Sequence, residues 1–114
     1  MAAGVALALK QSGSPAKVWV FIGDGAEDNG HTYEAIRYAT GMDLPCTFII
    51  EDNDRQVDTS HAERWGRTRR FDWNSPKVRR YHYVPTFPHG GAGLPAGSVT
   101  FKADAVDRFI AANL

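Results

Sequence analysis

The chain has 114 residues and a mass of 12.6 kDa, which is the size of one small domain, and its single cysteine excludes an internal disulfide or a multi-cysteine zinc site. Hydrophobic residues make up 43% and charged residues 23% of the sequence, values typical of a globular protein and not of a disordered one. The 13 basic and 13 acidic residues cancel, which excludes strongly basic nucleic-acid-binding proteins and acidic-tail proteins.

The first half of the chain alternates predicted helices and strands. Residues 3–11 predict a buried helix that ends at Gly13. Residues 17–22 form a continuous apolar run that predicts a strand buried on both faces, as in parallel sheets. A helix is predicted over residues 29–42, with Thr32 as its N-cap. A second buried strand follows.

The second strand is predicted over residues 46–50, and it contains Cys46 as a small core residue. Downstream, residues 78–84 predict a third strand. Residues 85–97 contain three prolines and four glycines and predict a loop or lid, and residues 102–113 predict an amphipathic helix. No stretch approaches the length of a membrane helix, and the apolar start lacks the basic region of a signal peptide, so we expect a cytoplasmic protein.

A strand, a helix and a second strand of these lengths predict a right-handed parallel crossover. The predicted fold class is therefore α/β, with a parallel sheet between helical layers in a three-layer α/β/α arrangement. Ligands of such sheets bind beyond the carboxyl ends of the strands. Two polar clusters, residues 23–29 and residues 51–58, follow the two predicted strands, so we expect them to meet at that edge.

The two clusters supply oxygen donors that suit a hard cation. Asp24 stands between Gly23 and Gly25, where the backbone lets a phosphate approach its amides, and Asn53 lies in the second cluster. A carboxylate, an amide oxygen and a backbone carbonyl suit Mg²⁺ or Ca²⁺ held together with phosphate oxygens. A dinucleotide fingerprint and an EF-hand loop both fail, because Asp28 and Val57 stand where those motifs need glycine.

These motifs resemble the diphosphate-binding region of thiamine-diphosphate enzymes, above all the α subunit of 2-oxo-acid dehydrogenase E1 components, with transketolase more distant. The resemblance covers about residues 3–60. It rests on these segments of the sequence: Ala3-Gly-Val-Ala-Leu-Ala8, Gly23-Asp-Gly-Ala26, Asn29-Gly30, Glu34-Ala35, Leu44-Pro-Cys46, Phe48-Ile-Ile-Glu51, Asp52-Asn53 and Thr59-Ser60.

The resemblance implies thiamine diphosphate and Mg²⁺ as cofactors. It implies Asp24, Asn53 and the carbonyl of Arg55 as metal ligands, and the Gly23–Ala26 turn as the diphosphate-binding loop, with the amides of Gly25 and Ala26 facing the phosphates. The family's site forms between two domains, so it also implies a partner chain that supplies the pyrimidine-binding half, and an oligomer. The chain then reads as one incomplete domain, with a motif-bearing core over residues 1–60 and a divergent region over residues 61–114.

Three acidic residues depart from the family's pattern. Asp52 stands where the family usually has asparagine, which predicts an additional negative charge beside the metal. Glu27 and Asp28 stand where the family often has small or amide residues, and they would either strengthen metal binding or repel diphosphate.

The remaining candidates lie in the second half of the chain. The resemblance makes the loop histidines His82 and His89 candidates for catalytic residues, with surface or structural roles as the alternative; His31 and His61 flank the proposed site. Residues 64–80 carry seven basic residues against one acid, while residues 1–63 carry four against ten. These arginines either pair with the acidic neighbours or bind an anionic substrate or partner; nucleic acid is the least favoured partner.

The function that follows is a thiamine-diphosphate- and Mg²⁺-binding part of a two-chain enzyme that cleaves a carbon–carbon bond next to a carbonyl. Decarboxylation of a 2-oxo acid is preferred over ketol transfer, and the isolated chain is expected to be inactive. Two alternatives stay open. The first is a non-catalytic remnant or interaction module that keeps the fold without cofactor. The second is a phosphate-handling enzyme that uses the same predicted metal-binding residues.

Overall fold

The computed structural model describes residues 1–57, 59–66, 70–84 and 107–112. The elements in chain order are α1 (Ala2–Gln11), β1 (Val18–Gly23), α2 (Asp24–Glu27), α3 (Gly30–Gly41), β2 (Cys46–Asp52), β3 (Arg55–Gln56), β4 (Thr59–Ser60), α4 (His61–Trp65) and β5 (Val78–His82). Residues 107–112 are also helical and are called α5. The predicted loop over residues 85–97 and parts of the predicted C-terminal helix lie outside the described residues.

Strands β1, β2 and β5 form a parallel sheet in the order β1-β2-β5. The register pairs Gly23 at the end of β1 with Glu51 of β2, and Asp52 at the end of β2 with His82 of β5. The predicted α/β class with a parallel sheet is therefore confirmed. Because the strands are parallel and in this register, the three segments that follow them leave the sheet at one edge.

The hydrophobic core lies mainly between one face of the sheet and the helices α1 and α3. Ala6 of α1 and Ile36 and Ala39 of α3 pack with Cys46 and Phe48 of β2, and all five are buried. On the opposite face, Ile49, Tyr81 and the α5 residue Phe109 form a smaller cluster. The prediction that Cys46 is a core residue is confirmed, and burial raises the pKa of its thiol despite the nearby Lys77.

Strand β1 corrects one prediction. We predicted that it is buried on both faces, but its side chains alternate, and Trp19 and Phe21 are 41% and 46% exposed. The reason is its position at the edge of the described sheet, where only the Val18 and Val20 side is packed against the core. Strand β2 lies between β1 and β5 and has the two-sided burial that a continuous apolar run predicts.

The start of α3 corrects a second prediction. Asn29, and not Thr32, is the N-cap: its backbone is extended and its side-chain oxygen accepts a hydrogen bond from the His31 amide. Thr32 lies within the first turn, and its hydroxyl donates to the carbonyl of Ala26 over 2.8 Å. That bond ties α3 to α2, so the polar turn after β1 is held on both sides.

Strands β3 and β4, each two residues long, form a hairpin in which the backbone of Val57 is strained. The register pairs Gln56 with Thr59, and Val57, the first residue of the turn, has φ +56°. A β-branched side chain is unfavourable in this left-handed region by about 1–2 kcal/mol. Val57 is also 57% exposed, so little packing would be lost on replacing it.

Replacing Val57 with asparagine should raise the free energy of unfolding by about 1 kcal/mol, because asparagine tolerates the left-handed conformation. Urea unfolding measures the change. Val84→Asn is the control, because Val84 is exposed and has no positive φ, and it should change stability by less than about 0.5 kcal/mol. An unchanged or lower stability for Val57→Asn would show that the turn carries no strain.

Candidate functional site

The carboxyl ends of β1 and β2 meet around a cavity of about 270 Å³. Strand β1 ends at Gly23 and runs directly into α2, which begins with Asp24, while β2 is followed by Asn53. The cavity is lined by Gly23, Asp24, Gly25, Ala26, Glu51, Asn53, Arg55, Gln56, Val57 and Tyr83. The topology thus brings the two polar clusters together at the edge that the sequence predicted.

Asp24 connects the two clusters. Its carboxylate is buried, with Oδ1 accepting from the Gly25 amide at 2.9 Å. Its Oδ2 accepts from the backbone amides of Asn53 and Arg55, each at 3.2 Å. Three backbone N–H donors from both loops therefore fix the position of this one side chain.

The surroundings of Asp24 disfavour the ionised form of its carboxyl group. Burial raises the pKa of its carboxyl group, and the nearby carboxylate of Asp52 raises it further, while His61 acts in the opposite direction. A buried carboxylate with a raised pKa is stabilised by a bound cation, which favours its ionised form. A cation bound at Asp24 would therefore offset the effect of burial and of Asp52 on this carboxylate.

The donor set around Asp24 fits a hard cation. Among the described residues, no group of three or more His, Cys, Asp and Glu is arranged to hold a metal ion, so a ligand set must also use amide and carbonyl oxygens. Asn53 and Arg55 both lie against Asp24 and line the same cavity. Carboxylate, amide and carbonyl oxygens of this kind are the donors that Mg²⁺ accepts.

The backbone at Gly25 has no room for a side chain. A Cβ built there would lie 2.7 Å from Cγ and 2.8 Å from Cβ of Gln56, closer than side-chain atoms approach one another. Gln56 therefore packs directly against the Gly25 Cα at the wall of the cavity. A larger residue at position 25 would push the β3 segment, and Arg55 with it, away from Asp24.

His61 is a residue of this site that sequence reasoning placed only beside it. It is the first residue of α4, its side chain is 5% exposed, and its Nε2 lies 3.3 Å from Asp24 Oδ2. The local signal was present: Ser60 and Glu63 form a capping box that starts the helix. The capping box fixes the start of α4, but only the tertiary structure places that start over Asp24.

Two of the three additional acids pair with arginines of residues 64–80, which we call the basic segment. Glu27 is buried and accepts hydrogen bonds from Trp73 Nε1 at 2.7 Å and from the Arg80 guanidinium. Asp52 is also buried and pairs with Arg70 and Arg80. The interpretation that arginines of this segment pair with acidic neighbours is confirmed for Arg70 and Arg80.

The third acid, Asp28, forms a hydrogen bond with a side chain of α4. Its Oδ2 accepts from Trp65 Nε1 at 2.9 Å, and Arg64 lies over the Trp65 ring at 4.6 Å from its centroid. In the described residues, then, Glu27 and Asp52 are held by guanidinium groups, and Asp28 holds α4 in place. The negative charge of Asp52, which we predicted beside the metal site, is compensated by Arg70 and Arg80.

Ion pairing sets the pKa of Asp52. Burial opposes its ionisation, but the hydrogen bonds from Arg70 and from the Asp54 amide, with the charges of Arg70 and Arg80, hold its pKa well below the usual range. The same contacts with Asp52 and Asp54 raise the pKa of Arg70 above its usual value. The carboxylate therefore stays ionised throughout the physiological range.

Stability that depends on Asp52 should be lost in acid. Its folded pKa lies below the unfolded value of about 3.9, so its contribution is present above about pH 3.9 and disappears as the pH falls towards the folded pKa. Urea unfolding at a series of pH values should show stability falling below about pH 4, and Asp52→Asn should flatten this fall. Equal slopes in the two proteins below pH 4 would contradict the assignment.

Of the two predicted catalytic histidines, His82 does not line the cavity. His82 ends β5, its side chain is 56% exposed, and its Nδ1 lies 3.7 Å from Asp52 Oδ1. His89 lies outside the described residues. Tyr83, the next residue after His82, lines the cavity instead, and its pKa is raised by burial and by the carboxylates of Glu51 and Asp24.

The part of the chain that forms most of this site is also the part that is similar to known proteins. Residues 1–71 match the model of the family described as dehydrogenase E1 component. The pyruvate dehydrogenase E1 component subunit alpha of Staphylococcus aureus is 36% identical over 63 residues, which are 55% of this chain and 17% of that relative. The protein of the same description from Rickettsia prowazekii is 41% identical over 59 residues, 52% of this chain and 18% of the relative.

Each match covers only a minor part of the relative. That from Staphylococcus epidermidis, also described as pyruvate dehydrogenase E1 component subunit alpha, is 34% identical over 62 residues, 54% of this chain and 17% of the relative. The chain thus spans less than a fifth of the length of these curated relatives. In the described residues, no helix has the length and apolar character needed to cross a bilayer.

Proposed function

Because this chain belongs to the dehydrogenase E1 component family, we propose that it binds the diphosphate of thiamine diphosphate through Mg²⁺ and serves as part of a 2-oxo-acid dehydrogenase E1 enzyme. The observation that carries the proposal is the position of Asp24, buried and held by N–H donors from both loops at the meeting point of β1 and β2. The donor chemistry of this corner suits a magnesium diphosphate.

The roles of the chain's own residues follow from this geometry. Asp24 and Asn53 would hold the cation with their side chains and Arg55 with its carbonyl oxygen. The amide of Ala26 at the start of α2 would face the phosphate oxygens. The Gly25 amide, which we also expected to face them, donates to Asp24 Oδ1 at 2.9 Å and so holds that carboxylate in place. Bound thiamine diphosphate would supply a nucleophilic carbon for addition to the carbonyl of a 2-oxo acid, and a positively charged ring that takes up the electron pair left when CO₂ departs.

Catalysis in this proposal needs a second chain or domain. The curated relatives are described as subunits, and this chain matches less than a fifth of their length. We therefore propose that a partner supplies the pyrimidine-binding half of the cofactor site, and that the isolated chain holds only the diphosphate half. His82, at the carboxyl end of β5, and His89 stay proposals for residues near the substrate.

The neutralised acids favour cofactor binding over the non-catalytic alternative. The argument for a remnant was that Glu27, Asp28 and Asp52 add negative charge where a diphosphate must bind. In the structure, Arg70 and Arg80 compensate Asp52 and Glu27, so these two carboxylates repel an anion in the cavity less than their sequence positions suggested, whereas Asp28 accepts from the neutral Trp65 Nε1.

Calorimetric titration of thiamine diphosphate into the purified chain tests the proposal. We expect heat of binding with Mg²⁺ present and none after chelation, because the cation bridges the diphosphate to Asp24. Thiamine without phosphates is the control ligand and should not bind, because the proposed half-site recognises the diphosphate. Equal binding with and without Mg²⁺, or no binding at millimolar cofactor, would favour the alternative of a fold that has lost its cofactor.

A further inference from the structure

His61 carries a buried ring nitrogen that lacks a hydrogen-bond partner. Among the described residues, its Nε2 is the one buried side-chain nitrogen or oxygen in this condition, although Asp24 Oδ2 is only 3.3 Å away. Buried polar atoms are almost always satisfied, and an exception calls for a physical cause such as an absent ion. The unsatisfied atom lies beside the carboxylate that we place at the cation site.

The other ring nitrogen of His61 also lies near a carboxylate. His61 Nδ1 lies 4.0 Å from Asp28 Oδ2, and that carboxylate is fixed by Trp65 Nε1. In a metal-binding histidine the proton lies on the nitrogen that does not bind the metal, and a carboxylate near that nitrogen supports this arrangement. The surroundings of both ring nitrogens of His61 are therefore compatible with a cation at Nε2.

The separation of the two atoms is that of two ligands on one ion. With metal–ligand distances of about 2.1 Å, adjacent ligands lie about 3.0 Å apart in octahedral and about 3.4 Å apart in tetrahedral geometry. The 3.3 Å between His61 Nε2 and Asp24 Oδ2 falls in this interval. Histidine ligands of metals also commonly have a carboxylate on their second nitrogen, as His61 has in Asp28.

We propose, building on the function above, that His61 Nε2 is a further ligand of the cation at Asp24, and that the site prefers a transition-metal ion such as Mn²⁺ to Mg²⁺. Imidazole nitrogen is a poor ligand for Mg²⁺, which prefers oxygen, and a good one for first-row transition metals. Of the residues proposed to hold the cation, His61 is the only nitrogen donor, so the metal preference rests on this side chain.

Pulsed electron paramagnetic resonance of Mn²⁺ bound to the chain tests the ligand directly. Mn²⁺ is added in substoichiometric amount to the 114-residue chain with thiamine diphosphate, at a pH where imidazole is neutral. We expect echo modulation from a directly bound ¹⁴N nucleus in the original chain. His61→Leu should lose this modulation, and His31→Leu, which removes an exposed histidine at the start of α3, should keep it.

Metal affinities supply a second measurement. His61→Leu should weaken Mn²⁺ binding by about 10-fold or more and change Mg²⁺ binding by less than about threefold, because only the transition metal uses the nitrogen. Circular dichroism confirms that the variant is folded. The ¹⁴N measurement on the original chain decides the question even where the variant does not fold.

The outcomes separate this inference from the cofactor proposal. Mn²⁺ that binds to the original chain without ¹⁴N modulation overturns the role of His61 and leaves the cofactor proposal intact. Modulation that persists in a folded His61→Leu assigns the nitrogen to another residue and also overturns the inference. If neither Mn²⁺ nor Mg²⁺ binds with thiamine diphosphate, both proposals fail.

Discussion

Replacing Asp24 with asparagine is expected to abolish metal-dependent binding of thiamine diphosphate while the chain stays folded. The substitution keeps the shape of the side chain and one oxygen for the backbone donors, but it removes the charge that would bind the cation. We expect a loss of affinity of at least about 100-fold, since weakening even an outer neighbour of a metal costs about 10–100-fold. Titration calorimetry with Mg²⁺ measures it.

The fold should tolerate this change, because the pKa of Asp24 is raised by burial and by Asp52, which means that its charge opposes folding at neutral pH. Asp43→Asn is the matched control. Asp43 has a left-handed backbone, which asparagine also accepts, and its ion pair with Lys77 is on the surface. That variant should bind cofactor as the original chain does. If Asp24→Asn bound within threefold of the original, the cation site would lie elsewhere.

The largest effect on stability is expected at Arg80. Its guanidinium pairs with Glu27 and Asp52, two carboxylates whose side chains are 2% and 4% exposed. Arg80→Met would leave buried negative charge with less compensation, and breaking a buried ion pair from one side costs about 3–5 kcal/mol. Urea unfolding with a common denaturant slope measures the change in the free energy of unfolding.

The neighbouring residue Arg79 provides the matched control. It is exposed on the same strand, and its guanidinium donates to the carbonyls of Pro76 and Val78 without a carboxylate partner among those bonds. Arg79→Met should cost less than about 1 kcal/mol. The double variant Glu27→Gln with Arg80→Met should recover part of the loss, because one of the two stranded charges is removed. Equal costs at Arg79 and Arg80 would show that the buried network contributes nothing specific.

The acid network also shows how this chain accommodates its departure from the family's sequence pattern. Asp52 adds a carboxylate next to the proposed cation ligand Asn53, and this carboxylate forms ion pairs with Arg70 and Arg80. Acidic residues of the first part of the chain therefore form ion pairs with arginines of the basic segment over residues 64–80.

The sequence by itself determined the framework of the site. Strand β2 reads as a continuous apolar run because both of its faces are buried, and the parallel connection from β1 follows from the helix between them. Parallel strands end at one edge of a sheet, so the meeting of Asp24 and Asn53 could be inferred from local patterns alone. The family of the chain was likewise readable from the spacing of its motifs.

Only the tertiary structure decided which side chains complete the site. Arg80 and Glu27 are 53 positions apart, Arg70 and Asp52 are 18 apart, and no periodic pattern encodes such pairings. The exposure of the outer face of β1 could not be predicted from the sequence either, because an apolar strand has the same sequence pattern whether or not another element covers it. His61 illustrates the physical reason: its helix start is a local property, but its burial against Asp24 depends on how that helix packs over α2.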